Sequence, residues 1–249
     1  MTTHVALVGA SGALGTFIAS VIDESDDFDL VARLTSRSPL SEMSGADIVI
    51  DATTPEASET VVRQAIAYGK PVVVGTSGWS QEKISTLRGF VAEHPGSAVA
   101  IIPNFSLGST LVSMFAAQAA RFFTSAEIVE THHPDKIDSP SGTAIRTAEL
   151  MADARAERGP FRSPHTDQRA RGQSVGSIPI HSLRVAGVAA KQQVILGSGG
   201  ETVTLGHETS SSEAYRAGIL LALRETPQFS GIVVGLDSFI DLSLPGGDL

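Results

Sequence analysis

The sequence predicts an α/β protein built on a Rossmann-type parallel sheet, on three observations. A short apolar run, HVALVG (4–9), opens straight into a glycine turn, GASGALG, and then into TFIASVI with helical apolar spacing. Short β-branched runs alternate with helical patterns through residue 105, the rhythm of βαβ crossovers. Beyond them, one stretch, EIVETHHPDKIDSPSGTA (127–144), concentrates ionisable and hydrogen-bonding groups that the preceding alternation lacks.

Each element has its own warrant. Residues 4–9 end in glycine as a buried parallel strand should. The loop glycines Gly9, Gly12 and Gly15 permit a tight turn and close backbone approach, and the helix that follows presents free N–H groups to a pyrophosphate. Their spacing is GxxGxxG rather than GxGxxG, so glycines that merely turn the chain are the alternative. DLVARL (29–34) and DIVIDAT (47–53) read as strands, PEASETVVRQAIAY (55–68) as a helix closed by Gly69, and PVVVGTS (71–77) as the next strand. QEKISTLRGFVAEH (81–94) reads as a helix and SAVAIIPNF (97–105) as a strand. Ligands of such sheets gather beyond the C-terminal strand ends, so Gly75-Thr76-Ser77 and Pro103-Asn104-Phe105 should face a cofactor; ordinary turn chemistry is the rival reading.

Composition removes several function classes. At 249 residues, 42% of them hydrophobic, the chain can bury a substantial core as one compact unit or two small domains. A net charge of −9 argues against general nucleic-acid binding, although a local basic patch can still hold a phosphorylated cofactor. With no cysteine, disulfides, thiolate metal sites and thioester-forming dehydrogenase chemistry are excluded, and a reducing cytosol is compatible. MTTHVALVGASG lacks the features of a signal peptide, and no apolar run reaches the roughly 18 residues a membrane helix needs. The expectation is a soluble, cytoplasmic protein with neither membrane nor nucleic acid as partner.

The second strand bears on the nucleotide. NAD-specific Rossmann folds carry an acid about 20 residues past the glycine loop, gripping the ribose hydroxyls. Here the strand ends Leu34-Thr35-Ser36-Arg37-Ser38 with no acid, and hydroxyls plus an arginine suit a 2′-phosphate. NADPH is therefore preferred over NADH, the competing possibility being an Arg37 that engages nothing.

In EIVETHH, Ile128, Glu130 and His132 share one strand face, with Val129, Thr131 and His133 on the other. Adjacent histidines on a strand point apart, and no ligand spacing such as HExxH occurs among the seven histidines, so no metal is expected. The loop after the strand carries Lys136, and a helix follows with Ile145, Ala148 and Met151 or Ala152 on one side. Ser141 or Thr143 can cap that helix, and the Ser141-Gly142-Thr143 amides form a nest suited to a carboxylate. An imidazole that titrates near neutrality beside a permanently cationic ammonium suits a small anionic substrate that must be protonated during reaction, and with the glycine loop it points to a reductase.

At these residues the sequence resembles the 4-hydroxy-tetrahydrodipicolinate (dihydrodipicolinate) reductases. Besides 127–144, the resemblance takes in GASGALG, VVGTSGW (73–79), IPNFSLG (102–108), GSIPIHSLR (176–184), GGETVTLGH (199–207) and GLDSFIDL (235–242), leaving PGGDL as a tail. It implies His132 as catalytic acid/base and Lys136 as proton donor, with His133, Lys136, Gly142 and Thr143 against substrate carboxylates and Ser141 beside them. It places Gly9, Ala10, Ser11, Gly12, Ala13 and Leu14, then Gly75 to Ser77, then Ile102, Pro103, Asn104 and Phe105, along the nucleotide. The resemblance further implies a discontinuous Rossmann domain (1–105 and 214–249), an α+β substrate domain (106–213) with an open mixed sheet, and a homotetramer assembled through that sheet. The activity implied is reduction of a cyclic imine dicarboxylate in diaminopimelate and lysine biosynthesis, loss of water preceding or accompanying reduction; another small-molecule dehydrogenase or a non-catalytic NADPH sensor on the same fold is the alternative.

Two positions depart from the family pattern. Thr35 stands where many relatives carry the nucleotide-selecting acid, and Ser212 stands where an arginine usually approaches the substrate, with Arg184 and Arg216 as candidate replacements. Residues 153–176, rich in Arg, Gly, Pro and Ser, read as a long mobile loop, either solvated or a flap. His181 and His207 fall within strand patterns and read as packed or hydrogen-bonded histidines. Residues 212–225 read as a helix, and SGIVVGLDSFIDL as the home of a final strand.

Overall fold

The computed structural model describes residues 2–243; the PGGDL tail lies outside them. The chain divides into two compact units, Met1–Phe105 with Tyr215–Leu249 and Ser106–Ala214.

The first unit is a six-stranded parallel sheet. β1 (Thr3–Val8) leads through the glycine loop into α1 (Ala13–Asp23), followed by β2 (Phe28–Leu34), β3 (Ile48–Asp51), α2 (Pro55–Ala67), β4 (Val72–Val74), α3 (Gln81–Ala92) and β5 (Ala98–Ile101). β3, β4 and β5 are buried at every position, which is why they read as continuous apolar runs rather than alternating ones, broken only by Asp51 at the end of β3. Pro55 opens α2 where its missing N–H costs nothing, and the Ser80 hydroxyl caps α3 by accepting from the Lys83 amide.

The second unit begins with α4 (Leu107–Ala120), β6 (Ser125–His132) and α5 (Gly142–Ala154), and continues through β7 (Gln173–Val175), β8 (Ile178–Arg184), β9 (Ala190–Ser198) and β10 (Glu201–Thr209). Its sheet runs β10-β9-β6-β8-β7, with β6 parallel to β8 and the remaining pairs antiparallel. Ala126 and Ile128 of β6, Ile178 and Ile180 of β8, and Val194 and Leu196 of β9 pack with Ala144, Ala148 and Met151 of α5 into one core. The opposite face is only partly covered, and Leu183 remains 47% exposed.

After β10 the chain re-enters the first unit through a 3-10 turn (Ser212–Tyr215), α6 (Arg216–Glu225) and β11 (Gly231–Val234), and β11 pairs in parallel with β5. The nucleotide-type sheet order is thereby β11-β5-β4-β3-β1-β2. The helix expected over 212–225 thus starts as a tighter turn.

Residues 153–176 are more tied down than a solvated loop. Arg155 is 7% exposed, donates to the carbonyls of Gly159 (2.7 Å) and Phe123 (2.9 Å), and lies 3.7 Å above the Phe161 ring. Arg171 pairs with Glu127, whose other oxygen lies 2.5 Å from His181 Nε2. Arg155 and Arg171 thereby anchor the two ends of the segment, which also contains the last residues of α5 and all of β7, while residues 164–170 are exposed.

Candidate active site

The glycine loop is shaped by backbone sterics. Gly9 has φ +90, and a Cβ there would lie 2.3 Å from the Ala52 carbonyl oxygen; a Cβ on Gly15 would lie 2.1 Å from the Gly9 oxygen. The amides of Gly9 and Ala10 both donate to the Leu34 carbonyl, tying the loop to the end of β2. Gly12 is the N-cap of α1 and supplies no side-chain cap, and the first turn carries no acid. The helix therefore presents uncapped N–H groups and positive dipole at its start.

The neighbouring loops complete this rim. The Gly75 amide donates to the Asp51 carbonyl, and the Phe105 ring occupies the space a Gly75 side chain would need. Thr76 is 5% exposed and its hydroxyl has no partner among the described residues, an orphaned group of the kind a ligand satisfies. Asp51, wholly buried, accepts from the Thr53 amide and hydroxyl and from Ser58, and Trp79 donates to the Ser58 oxygen (3.0 Å), so the loops after β3 and β4 are held together. After β2, Thr35 and Ser38 close a turn, and Arg37 is exposed with no ion-pair partner among the described residues. Ile102 is fully buried and Phe105 nearly so, leaving their backbone and ring edge as contact surface, whereas Pro103 is exposed. Gly9 to Leu14, Thr35 to Arg37, Gly75 to Ser77 and Ile102 to Phe105 follow the C-terminal ends of β1, β2, β4 and β5 in one sheet, and the residues fit a dinucleotide.

The second unit assembles charge. Glu130 and His132, two apart on β6, face the same way, and the parallel register sets Ser182 opposite Glu130 and Arg184 opposite His132. Glu130 is wholly buried, and its carboxylate lies 2.6 Å from His132 Nδ1. It also accepts from both Arg184 terminal nitrogens (3.1–3.2 Å), from the Ser141 amide (3.2 Å) and from the Ser182 hydroxyl. Burial pushes the Glu130 carboxyl up, but these donors outweigh it and hold it below the ordinary carboxylate range. His132 is pushed below its ordinary value, first by burial, against the opposing pull of Glu130 and with the help of the Lys136 and Arg184 charges.

Arg184 also donates to the carbonyls of Lys136 (3.3 Å) and Asp138 (2.6 Å), so the buried ion pair holds the loop that carries Lys136. Lys136 Nζ bonds Asp138 at 2.7 Å, and the Asp138 carboxylate also takes the Gly142 amide. His133 is exposed beside them.

The structure places three sequence-predicted groups as follows. Ser141 is 3% exposed; its hydroxyl caps α5 by accepting from the Ala144 amide, and its own amide donates to Glu130. Of the Ser-Gly-Thr nest, one amide is thus held by Glu130 and another by Asp138. Neither arginine suggested for the Ser212 position is at liberty: Arg184 is bound to Glu130 and two carbonyls, and Arg216 pairs with Glu24 at 2.9 Å. Sequence reasoning placed Glu130 on the face of His132 without giving it a part; an acid two residues before a candidate acid/base histidine on one strand was the available signal. Asp138 was passed over altogether. His207 packs against Gly108 with Nε2 3.2 Å from the Ser106 hydroxyl, and burial lowers its pKa. No group of three or more His, Asp or Glu among the described residues is placed to hold a metal ion.

A Rossmann-type unit with an uncapped glycine-loop helix, together with a unit whose sheet carries a buried Glu-His pair and a lysine, defines a nucleotide-dependent oxidoreductase of two units. Family models described as the N-terminus and C-terminus of dihydrodipicolinate reductase match residues 3–105 and 108–240. The chain belongs to the dihydrodipicolinate reductase family, whose members are NAD(P)H-dependent oxidoreductases. The 4-hydroxy-tetrahydrodipicolinate reductase of Clavibacter sepedonicus is 56% identical over 242 residues, covering 97% of this chain and 87% of that protein. The Nocardia farcinica enzyme of the same name is 40% identical over 248 residues, covering 97% and 100%. Among solved structures, dipicolinate-bound dihydrodipicolinate reductase from Paenisporosarcina sp. TG-14 matches with a TM-score of 0.81 at 27% identity, over 96% of this chain and 100% of that one.

Proposed function

We propose that this chain reduces 4-hydroxy-tetrahydrodipicolinate to tetrahydrodipicolinate in diaminopimelate and lysine biosynthesis. Support comes from the names its relatives carry and, in the molecule itself, from one buried ion pair near the start of α5 that holds the His132 imidazole through Glu130 and the backbone of the Lys136 loop through Arg184. Loss of the 4-hydroxyl as water gives the conjugated imine, to which the nicotinamide, when bound, supplies a hydride. Two electrons reaching carbon leave an electron-rich enamine-type system that must take a proton. His132 and Lys136 are the groups proposed to deliver it, with Lys136, His133 and the Gly142 and Thr143 region receiving the substrate carboxylates. A dianion beside His132 counteracts the effect of burial and favours the charged imidazolium at the moment a proton is required.

Gly9 to Leu14, Thr35 to Arg37, Gly75 to Ser77 and Ile102 to Phe105 are proposed to hold the nucleotide. NADPH is the preferred reductant: β2 ends without an acid, and Arg37 is exposed there with no ion-pair partner among the described residues. Self-association through the open face of the five-stranded sheet belongs to the same reading.

The test is a coupled assay in which substrate is generated from pyruvate and aspartate semialdehyde and NADPH or NADH absorbance is followed. His132→Gln and Lys136→Ala should each lower turnover about a hundredfold or more while nucleotide binding persists. Full turnover in both variants would overturn the assignment of the chemistry.

A further inference from the structure

We propose that Glu130 is the positioning residue of this active site: its buried carboxylate fixes His132 through Nδ1, and Arg184 is the counter-ion that couples that carboxylate to the Lys136 loop. The inference rests on the reading of His132 as the proton donor, and extends it to residues that touch no substrate. It is carried by geometry. Glu130 is 0% exposed and sits 2.6 Å from His132 Nδ1, while His132 retains 15% of its side-chain surface. A buried carboxylate accepting from Nδ1 keeps the proton on that nitrogen, so the neutral ring offers Nε2, which has no protein partner among the described residues, as the site that gains and gives a proton.

The charges around the ring explain why the arrangement needs Arg184. From β6 comes Glu130, from β8 Arg184, and from the loop Lys136 with its partner Asp138; the α5 groups that reach this face, Ser141 and Thr147, are neutral, as is Gln192 of β9 opposite Glu130. A lone buried carboxylate would be protonated in preference to carrying its charge. Paired with a guanidinium and three further donors it remains an acceptor, and can therefore orient an imidazole. The same guanidinium grips the Lys136 and Asp138 carbonyls, so one side chain sets the placement of both proposed proton donors.

The deciding measurements are nitrogen-15 NMR of the His132 ring in the full-length protein, and pH profiles of kcat and KM for wild type and Glu130→Gln. Wild-type His132 should carry its neutral-state proton on Nδ1. In Glu130→Gln the ring should titrate at lower pH, the limb of the rate profile that requires imidazolium should move the same way, and kcat should fall roughly tenfold to a hundredfold with KM changed only a few fold. Glu130→Asp, which keeps the charge but shortens the reach, should recover part of the lost rate. A wild-type ring protonated on Nε2 overturns the proposal even if no variant folds, and so does a Glu130→Gln profile that superimposes on wild type. Undiminished turnover in His132→Gln would instead strike the role of His132 itself, so the two failures are distinguishable.

Discussion

The rim of the parallel sheet and the end of β6 are built from opposite materials. At the glycine-loop rim, groups are removed: Gly9 and Gly15 lack the Cβ that would strike backbone oxygens, the first turn of α1 carries no acid, and the Thr76 hydroxyl has no partner among the described residues. At the β6 site, groups are crowded in: Glu130, His132, Arg184, Lys136 and Asp138 lie in one connected set of hydrogen bonds and ion pairs. A pyrophosphate is recognised by backbone N–H groups, which need only access. Proton delivery requires ionisable groups whose charge states are set by neighbours, which needs company.

Substitutions should expose that difference. Arg184→Leu leaves Glu130 buried without its cation, a loss of about 3–5 kcal/mol for a broken buried pair. Thermal unfolding should show this as a marked drop in the midpoint, and acidification toward the Glu130 pKa should narrow the gap to wild type. At the rim, Gly15→Ala inserts one methyl against the Gly9 carbonyl, with an overpacking cost of about 1–3 kcal/mol. NADPH titration should show affinity weakened by roughly tenfold to a hundredfold, with binding of dipicolinate to the second unit little changed. Equal damage to both ligands would mean that the two sites are not built independently.

The same contrast explains what could be read in advance. Glycine spacing, β-branched runs and the lack of an acid after Leu34 are local, so the parallel sheet and the Gly9, Gly75 and Pro103 loops were legible from the chain alone. The core face of β6 was legible for the same reason, since Ile128, Glu130 and His132 alternate with Val129 and Thr131. The Glu130–Arg184 pair was not, because 54 residues separate its members and only the β6–β8 register brings them together. The cap that Ser141 gives α5 was legible, because a hydroxyl just before a helical apolar pattern is a local signal; its amide donation to Glu130 was not, because that contact depends on how the loop folds back onto β6. Within 153–176, the short strand β7 and the Arg155 and Arg171 contacts were not legible, because arginine forks, unlike apolar stripes, have no periodicity.

Acid should act on the second unit in two stages. His132 and His207 both titrate below their ordinary value, chiefly through burial, so the unfolded chain binds more protons than the folded one just below about pH 6.5. Stability is therefore present above that pH and declines as pH falls toward the folded-state values. Glu130, held below the ordinary carboxylate range, adds a second decline at lower pH, beginning near its unfolded value of about 4.3. Unfolding midpoints followed from pH 8 downward should show both, and His132→Gln should flatten the first. A midpoint that rises between pH 7 and 5 would contradict the assigned directions.

The smallest effect expected concerns Asp138, and its sign is the informative part. Its carboxylate holds Lys136 Nζ at 2.7 Å and takes the Gly142 amide, two of the groups proposed to receive a substrate carboxylate. Asp138 thus occupies, from within the chain, a place that a ligand anion must win. The aspartate is 57% exposed, so the pair is worth only about 0.2–1 kcal/mol. Asp138→Asn removes both the competing charge and its repulsion of an incoming dianion, and dipicolinate should bind about two- to fivefold more tightly by calorimetry. The gain should shrink in high salt, as an effect between partly exposed charges must. Weaker binding in the variant would mean that Asp138 holds Lys136 ready for the ligand, preorganisation outweighing competition.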